Sequence, residues 1–505
     1  MIAAPEIHWG AVGPALLVTV GAMVVLMLEV FLAPREAVLD RPVTRSWLGS
    51  ALALVTSAFL ALALLATWQA FLAGTSIDFN PANATVRLDR FANFVIAVLS
   101  FATLLSALLS VGYLAELRIQ HGEYYALMLL ATGGMMILVS AVDLVMVFLG
   151  LEIMSIPIYV LAGFDRRRLR SNESALKYFL VGSFASALLL YGMALVYGAT
   201  GHTDFEGIRA AWQGGPLGMA GLGLILVGFA FKISSVPFHQ WTPDVYEGAP
   251  TSVTAYMSVT VKVAAFAALL RLLTTAFPAA SADGLQPLLW TLAAATMIVG
   301  NVMAVIQDNV KRLLAYSSIA HAGYLMIALV TATPDAYAAL HFYLVAYVFT
   351  NLGAFGVIIA LANRGQDTDR IDQLSGLAQR RPGLAFLLTL FALSLAGIPG
   401  TVGFMAKFHL FRAAVWGDQV VLTVLAVMTS LVSVYYYLRL PVVMYMREPG
   451  ANEIRSDLSS GEATVLGLCA LAVLLLGFFP NQPPLGFFSW IRALDWTRES
   501  VALLQ

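Results

Sequence analysis

Long apolar stretches recur along the whole chain, and they constrain its fold more than any other feature. A helix needs roughly 18 to 25 apolar residues to cross about 30 Å of hydrocarbon. Short polar breaks separate such windows here. We predict 14 membrane-spanning helices, near residues 11–33, 47–72, 91–115, 124–140, 142–164, 174–200, 217–240, 250–276, 285–306, 312–332, 336–362, 384–412, 418–446 and 462–480. Lipid leaves an exposed strand edge unsatisfied, and the alternating pattern of barrel strands is absent, so the predicted fold class is all-α integral membrane.

Composition agrees with this prediction and excludes several classes of protein. Apolar residues make up 60% of the 505 residues and charged residues 11%, whereas soluble domains have about 45–50% and about 25%. The net charge is −1, without a basic patch that would suit nucleic acid. The single cysteine, Cys469, excludes an all-cysteine iron–sulfur site, a zinc finger and an intrachain disulfide.

The distribution of Lys and Arg predicts the orientation of the spans. With the N-terminus outside, 17 of the 28 Lys and Arg residues fall in cytoplasmic connections, 7 fall on the other side, and 4 lie inside spans. Cytoplasmic connections usually carry this excess of positive charge. We therefore expect both termini on the outer, periplasmic side. No transit peptide is visible, which favours a bacterial cytoplasmic (inner) membrane, although an organelle-encoded chain would lack one too.

The charged residues left inside the spans are the first candidates for function. They are Lys232, Lys262, Lys407 and Arg439, together with Glu152 in FLGLEIMSIPIYVL. A charged side chain at the bilayer centre costs roughly 2.5–3.5 kcal/mol on insertion scales, so such residues usually serve a function. A nearby carboxylate changes how readily a buried lysine holds its proton. Three lysines and a glutamate therefore predict a proton relay.

Each of these residues also has a structural interpretation. Lys232 and Glu152 could form a static ion pair that fixes helix register, and Lys262 and Lys407 could each serve packing alone. Arg439 is close enough to the end of its span to reach the interface.

Three further polar residues leave a similar choice. His239 and His321 are candidates for the relay, although a lone histidine in a helix is more often hydrogen-bonded core. Asp143 is either an interfacial polar residue or part of a helix end.

Two predicted spans contain residues that break helices. The run SSVPFHQWTPDVYEGAP follows Lys232, and LAGIPGTVGFMAK ends at Lys407. Proline removes a backbone donor and clashes with the preceding turn. Broken backbone at membrane depth is tolerated where protein or a watery cavity satisfies it. Breaks in helices 7 and 12, each with a lysine beside it, predict a transport site.

A weak internal repeat indicates two related halves. LKYFLVGSFASALLLYG (176–192) aligns with LHFYLVAYVFTNLGAFG (340–356), and an odd number of spans separates their positions, which predicts two inverted five-helix repeats. The predicted organisation is an N-terminal unit with helices 1–3, a first unit with helices 4–8, a second unit with helices 9–13, and helix 14 with a tail: residues 1–120, 121–280, 281–446 and 447–505. The sequence has no Walker A loop, so ATP does not drive this chain directly.

Five motifs resemble subunit N of proton-pumping NADH–quinone oxidoreductase, respiratory complex I. They are FLGLEIMSIPIYVLAGF, ESALKYFLVGSFASALLLYG, FKISSVPFHQWTPDVYEGAPTSVTAYMSVTVKVAAF, NVKRLLAYSSIAHAGY and GIPGTVGFMAKF. The resemblance covers nearly all of residues 90–440. The lysine at position 407 resembles the residue of subunit N at this place, whereas the paralogous subunit M is expected to carry glutamate there.

The resemblance implies an antiporter-like, proton-translocating subunit and assigns roles to four residues. Glu152 would pair with Lys232, Lys262 would connect the two units, and Lys407 would stand at the broken twelfth helix. It further implies that this chain carries no cofactor, with NADH, FMN, iron–sulfur clusters and quinone on partner subunits. The expected partners are membrane-arm subunits, including M, J and K.

Two other functions stay open at the level of sequence. One is a subunit of a cation/proton antiporter or of a hydrogenase-type membrane complex. The other is a scaffold whose buried charges only specify helix packing.

Overall fold

The computed structural model describes residues 6–32, 46–278, 284–362, 369–449, 458–481 and 492–502. Five of the arginines behind the predicted orientation, Arg35, Arg41, Arg45, Arg364 and Arg455, lie outside these residues, as does the predicted boundary at residue 281. The described part is predominantly helical, as the sequence predicts.

Thirteen helices in the described ranges are long and apolar enough to cross a membrane. They are α1 (Gly13–Leu32), α2 (Ser46–Ala73), α3 (Arg90–Leu117), α4 (Gly122–Ser140), α5 (Leu144–Ala162), α6 (Leu169–Thr200), α8 (Pro216–Ile233), α10 (Thr251–Thr275), α11 (Leu285–Val305), α12 (Val310–Thr331), α13 (Pro334–Ala360), α17 (Val420–Met446) and α18 (Ser460–Phe478). The shorter helices are α7 (Phe205–Ala211), α9 (Trp241–Gly248), α14 (Leu377–Arg380), α15 (Pro382–Ala396), α16 (Val402–Trp416) and α19 (Ala493–Val501).

Two predicted spans differ from continuous helices. The seventh ends at Ile233, short of the predicted residue 240, because Ser234 is left-handed with φ 63°, and the chain resumes as α9. The twelfth divides into α15 and α16 around Gly397 and Gly400, which have φ of 85° and 88°. Only glycine adopts this backbone conformation at little cost. With α15 and α16 taken as one interrupted crossing, the 14 predicted crossings each have a helical counterpart.

Helices α10 and α12 form the centre of the molecule. The most apolar window of each is wholly buried, whereas α1, α6 and α18 bury only about a third of theirs. Helix α10 packs against α3, α4, α8, α12 and α13. The residues carried by α10 and α12 are therefore shielded from lipid by the surrounding helices.

Short elements at the ends of the bundle were not predicted. Strands β1 (Ile77–Asp78) and β2 (Arg87–Leu88) form an antiparallel pair in which Arg87 Nε donates to Asp78 Oδ1 at 2.6 Å. Helix α19 packs across α13 and α3 near the C-terminus. These elements are too short or too polar to be found from apolar windows.

Candidate functional site

Lys232 lies in the last turn of α8 and only 2% of it is exposed. Its Nζ donates to Ser155 Oγ at 2.7 Å and to Tyr159 OH at 3.3 Å, both on α5. The same atom lies 5.1, 5.5 and 5.4 Å from the ring centroids of Tyr159, Tyr178 and Phe231. Aromatic faces attract a cation. This ammonium is therefore held by neutral hydroxyls and rings.

Glu152 lies on α5, one helical turn before Ser155. It is partly buried, and its Oε1 accepts from Ser186 Oγ on α6 at 2.5 Å. Within the described residues, no ion pair joins Glu152 to Lys232. In this structure the two residues that the resemblance pairs are bound by separate serines, Ser186 for Glu152 and Ser155 for Lys232.

The backbone released at the end of α8 is satisfied by side chains. Val236 N donates to Thr296 Oγ1 on α11 at 3.0 Å. Trp241 Nε1 donates to the carbonyl of Phe231 at 3.0 Å. Side-chain partners of this kind are what a helix break within a membrane requires.

Lys262, on α10, is 1% exposed. Its Nζ donates to the backbone carbonyl of Ser318 on α12. The hydroxyl of Ser318 accepts in turn from Tyr347 OH, on α13, at 2.9 Å. Lys262 therefore reaches across from α10 to the polar face of α12.

His321 lies three residues beyond Ser318 on α12. Its Nδ1 is 2.7 Å from Tyr343 OH, and its Nε2 is 3.2 Å from Tyr437 OH. Tyr437 OH also shares a hydrogen bond with Ser317 Oγ. Both ring nitrogens of this buried histidine thus have a hydroxyl partner, which suits a group that accepts a proton on one side and donates one on the other.

Lys407 lies on α16, beyond the second break. Its Nζ donates to the carbonyls of Leu395 and Ala396 at 3.1 and 2.9 Å and to Ser430 Oγ on α17 at 2.8 Å. The two carbonyls belong to the last turn of α15, where helix termini leave acceptors unsatisfied. Positive charge is also favourable at this end of a helix.

Tyr324 completes a polar face of α12 that joins two of the lysines. Lys407 Nζ lies 5.2 Å from the Tyr324 ring centroid, and that ring lies 5.8 Å from the His321 ring. Ser318, His321 and Tyr324 follow one another at intervals of three residues, so they share one face of the helix. The structure therefore brings Lys262, His321 and Lys407 into one continuous cluster.

Lys232 is separated from this cluster by aromatic rings. Trp241 stacks on Tyr178 with centroids 4.3 Å apart, and Tyr246 packs edge-on against Trp241 at 6.3 Å. In the described ranges, no chain of hydrogen bonds between side chains runs from Lys232 to Lys262. The site consists of two clusters: the first around Lys232 and Glu152, the second from Lys262 to Lys407.

His239 is not brought to either cluster. It lies in the turn between α8 and α9, and its buried Nδ1 has no hydrogen-bond partner among the described residues. The other polar candidates serve helix ends. Asp143 caps α5 by accepting from Val145 N at 2.7 Å. Arg439 reaches out of α17 to Asp308, at 2.5 Å.

Sequence reasoning missed the hydroxyl groups that surround the candidate residues, either as direct partners of Glu152, Lys232, Lys407 and His321 or beside Lys262. They are Ser155, Tyr159, Ser186, Ser318, Tyr343, Tyr347, Ser430 and Tyr437. A usable signal existed on α12, where the spacing of Ser318, His321 and Tyr324 puts three polar groups on one face. No comparable spacing marks the others, because their partners come from different helices.

Comparison with known proteins places this architecture in a family. The family model described as NADH:quinone oxidoreductase/Mrp antiporter, TM matches residues 141–433, which include Glu152, Lys232, Lys262 and Lys407. The chain is 45% identical over 501 residues to "NADH-quinone oxidoreductase subunit N 1" of Sorangium cellulosum, covering 95% of this chain and 97% of that protein. It is 46% identical over 404 residues to subunit N of Trichlorobacter lovleyi, covering 79% and 82%. This chain belongs to the subunit N family of NADH–quinone oxidoreductase.

Solved structures agree with membership of the subunit N family. A chain of respiratory complex I from Thermus thermophilus with bound aureothin superimposes with a TM-score of 0.77 at 35% identity, covering 92% of this chain and 97% of that one. A chain of the Mrp complex from Dietzia superimposes with a TM-score of 0.83 at 24% identity, covering 98% and 97%. The second likeness shows the shared fold only. Sequence, not fold, separates this subunit N chain from antiporter chains.

Proposed function

We propose that this chain is the proton-translocating N-type membrane subunit of an NADH–quinone oxidoreductase. The observation that carries the proposal is the polar face of α12, where Ser318, His321 and Tyr324 link Lys262 to Lys407. Membership of the subunit N family supports its place in that enzyme. The redox reaction would take place on partner subunits, and this chain would use the energy released there.

The three lysines are suited to lose and regain protons. In the described ranges, none of the three forms an ion pair, and each donates to hydroxyls or backbone carbonyls instead. Removing one partner of a buried ion pair costs roughly 3–5 kcal/mol, because it leaves an uncompensated charge. A lysine held by neutral acceptors avoids that cost when its proton leaves.

The relay proposed here begins at Glu152 and Lys232. A change at the first cluster would alter the distance between these groups and so the readiness of Lys232 to release a proton. The proton then passes to Lys262 and along α12 through His321 to Lys407. The aromatic separation between the clusters makes the step from Lys232 to Lys262 the natural point of control.

The energy change at the first cluster is comparable in size to the work of moving a proton across the membrane. Moving one charge against the membrane potential costs about 2.3 kcal/mol per 100 mV. Separating an ion pair from about 4 to about 8 Å at an effective dielectric near 20 changes its energy by roughly 2 kcal/mol. The energy change on bringing Glu152 and Lys232 together or apart is therefore large enough, especially if several coupled sites share the work.

The proposal assigns the remaining parts of the enzyme to partner subunits. NADH, FMN, iron–sulfur clusters and quinone would bind there. Partners in the membrane would include the antiporter-like subunit M and the small subunits J and K. This chain would lie in the bacterial inner membrane with both termini outside, its residues 121–280 and 281–446 forming two inverted units.

A cation/proton antiporter or hydrogenase-type complex is the competing assignment. The identities of 40–46% to NADH-quinone oxidoreductase subunit N chains favour the oxidoreductase. Copurification tests this choice. Recovery of NADH-oxidising subunits with this chain supports the proposal, and recovery of antiporter subunits alone contradicts it.

The relay is tested by NADH-driven acidification of inverted membrane vesicles that carry Lys232→Ala. The proposal expects normal assembly with a parallel fall in acidification and NADH oxidation. Lys177→Ala is a matched control, since this lysine lies on α6 and pairs with Glu173 and Asp244 at the bundle surface. Normal pumping with Lys232→Ala would reduce the lysine to a packing role.

A further inference from the structure

A cleft at one end of the bundle concentrates basic side chains that have no hydrogen-bond or ion-pair partner among the described residues. It is a shallow, partly open cleft lined by residues at the start of α13, at the end of α16 and on α19. Asp335, His409, Arg412 and Arg498 supply its ionisable groups. The relay uses none of them.

Two buried nitrogen atoms in this cleft have no hydrogen-bond partner among the described residues. They are Nε of Arg412 and Nε2 of His409. A buried donor without an acceptor costs about 1–3 kcal/mol and calls for an explanation. Arg498 and Asp335 likewise form no ion pair in the described ranges and are exposed at the mouth of the cleft. The Arg412 guanidinium therefore lacks an acceptor among the described residues, and an anionic group would supply one.

The position of the cleft indicates where that acceptor comes from. Arg412 lies 4.8 Å from the ring centroid of Trp416, the last residue of α16, and Trp416 is 68% exposed. Tryptophan is enriched where membrane proteins meet the headgroup layer. The apolar body of α16 continues inward from this point. An exposed tryptophan at this helix end therefore indicates that the cleft is near the headgroup layer.

Charge complementarity selects the class of lipid. Among the residues that line the cleft, Arg412 and Arg498 exceed Asp335 by one positive charge when His409 is neutral, while Asp495 and Glu499 beside it both pair with Arg492. Arginine binds phosphate through several N–H groups at once. We propose that this cleft binds the phosphate of a monoanionic phospholipid such as phosphatidylglycerol, with Asp335 accepting from the headgroup glycerol. The proposal is independent of the relay.

The test is photocrosslinking on the purified complex that contains this chain. Phosphatidylglycerol with a photoreactive group beside its phosphate is titrated into detergent micelles, and labelling of 402–419 and 492–502 is read by peptide mass spectrometry. The expected apparent Kd rises about 5-fold for Arg412→Gln or Arg498→Gln and about 25-fold for the double variant, at about 1 kcal/mol per basic residue.

Arg209→Gln is the matched control and should leave the labelling unchanged. This arginine is exposed on α7, in a connection on the same predicted side of the membrane. If the double variant does not assemble, Arg412→Lys keeps the charge but removes Nε, and it should still weaken labelling.

Three results would overturn the proposal. One is unchanged labelling at this cleft in the arginine variants. Another is equal labelling by phosphatidylethanolamine, which would remove the selection for an anionic lipid. The last is loss of labelling in millimolar inorganic phosphate with direct phosphate binding of the same affinity, which would make a free anion the ligand.

Discussion

The two broken helices satisfy the backbone groups freed at their breaks in different ways. At the first break, Lys232 belongs to the helix before the gap, and Thr296 and Trp241 satisfy the released backbone groups. At the second, Lys407 belongs to the helix after the gap and itself binds the free carbonyls of Leu395 and Ala396. Lys232 is therefore next to a helix break that other residues stabilise, whereas Lys407 itself stabilises the break next to it.

This difference separates transport from stability in the first cluster and joins them in the second. Lys232 can change its contacts without exposing backbone, because none of its hydrogen bonds goes to the gap. Lys407 cannot lose its ammonium contacts without leaving two carbonyls unsatisfied. The first cluster is therefore the better place for a conformational change, and the second for a fixed site.

The largest expected effect follows from Lys407→Ala. It removes three donated hydrogen bonds, and each buried acceptor left unpaired costs about 1–3 kcal/mol. We expect reduced assembly as well as loss of pumping, measured by the yield of intact complex from membranes and by NADH-driven acidification. Full assembly of the Lys407→Ala variant would contradict the stabilising role that we assign to Lys407 at the second break.

Lys232→Ala should affect activity much more than assembly. We expect pumping to fall at least about tenfold, as for loss of a proton-transfer group, while the yield of complex stays near that of wild type. The measurement pairs acidification with the amount of assembled complex. Equal loss of both would show that Lys232 also holds its helix break.

Thr296→Val probes the first break without touching its lysine. The substitution removes the acceptor of Val236 N–H and the partner of Ser235 Oγ, at a cost of about 1–3 kcal/mol. Hydrogen–deuterium exchange should quicken in residues 234–240 and stay unchanged in 397–401. If the substitution changed the exchange rates of both segments equally, or of neither, Thr296 would not be what stabilises this break.

Tyr159→Phe should have a small effect. It removes a long hydrogen bond of 3.3 Å and retains the ring 5.1 Å from Lys232 Nζ. The expected loss is below about 1 kcal/mol, with pumping reduced less than about fivefold. A loss as large as that of Lys232→Ala would give the Tyr159 hydroxyl a direct part in proton transfer.

Acid should loosen α9 at the edge of the first cluster. Burial opposes ionisation of Asp244, but hydrogen bonds from Lys177 and Arg312 hold its pKa below the ordinary 3.8. A lowered pKa stabilises the folded state above that ordinary value, and the contribution disappears as pH falls through the lowered value. Exchange in 241–248 should therefore quicken only below about pH 4, and Asp244→Asn should remove this dependence.

The sequence was sufficient for features that depend on the chain's own neighbours. Apolar windows located the helices to within a few residues at most ends, and Pro237 and Gly397 marked both breaks. The lysines could be recognised as candidate functional residues from the sequence, because a charged residue in an apolar span has a high free-energy cost of burial. Each of these features depends on residues close together in the sequence, so each could be predicted without the structure.

Contacts between distant segments could not be predicted in the same way. Ser155 and Ser186 are ordinary residues of their helices until packing brings them to Lys232 and Glu152. The same holds for Tyr437, which reaches His321 from 116 residues away. Whether Glu152 and Lys232 touch could not be decided from the sequence, because it does not show which hydroxyls packing brings to each of them.

The enclosed position of α12 has a consequence for biogenesis. His321 enters the membrane 116 residues before Tyr437, the hydroxyl that binds its Nε2. At roughly 5–20 residues per second, synthesis leaves about 6–23 s in which His321 Nε2 lacks its hydroxyl partner from α17. Docking of α17 is therefore the step that completes the hydrogen bonds of His321.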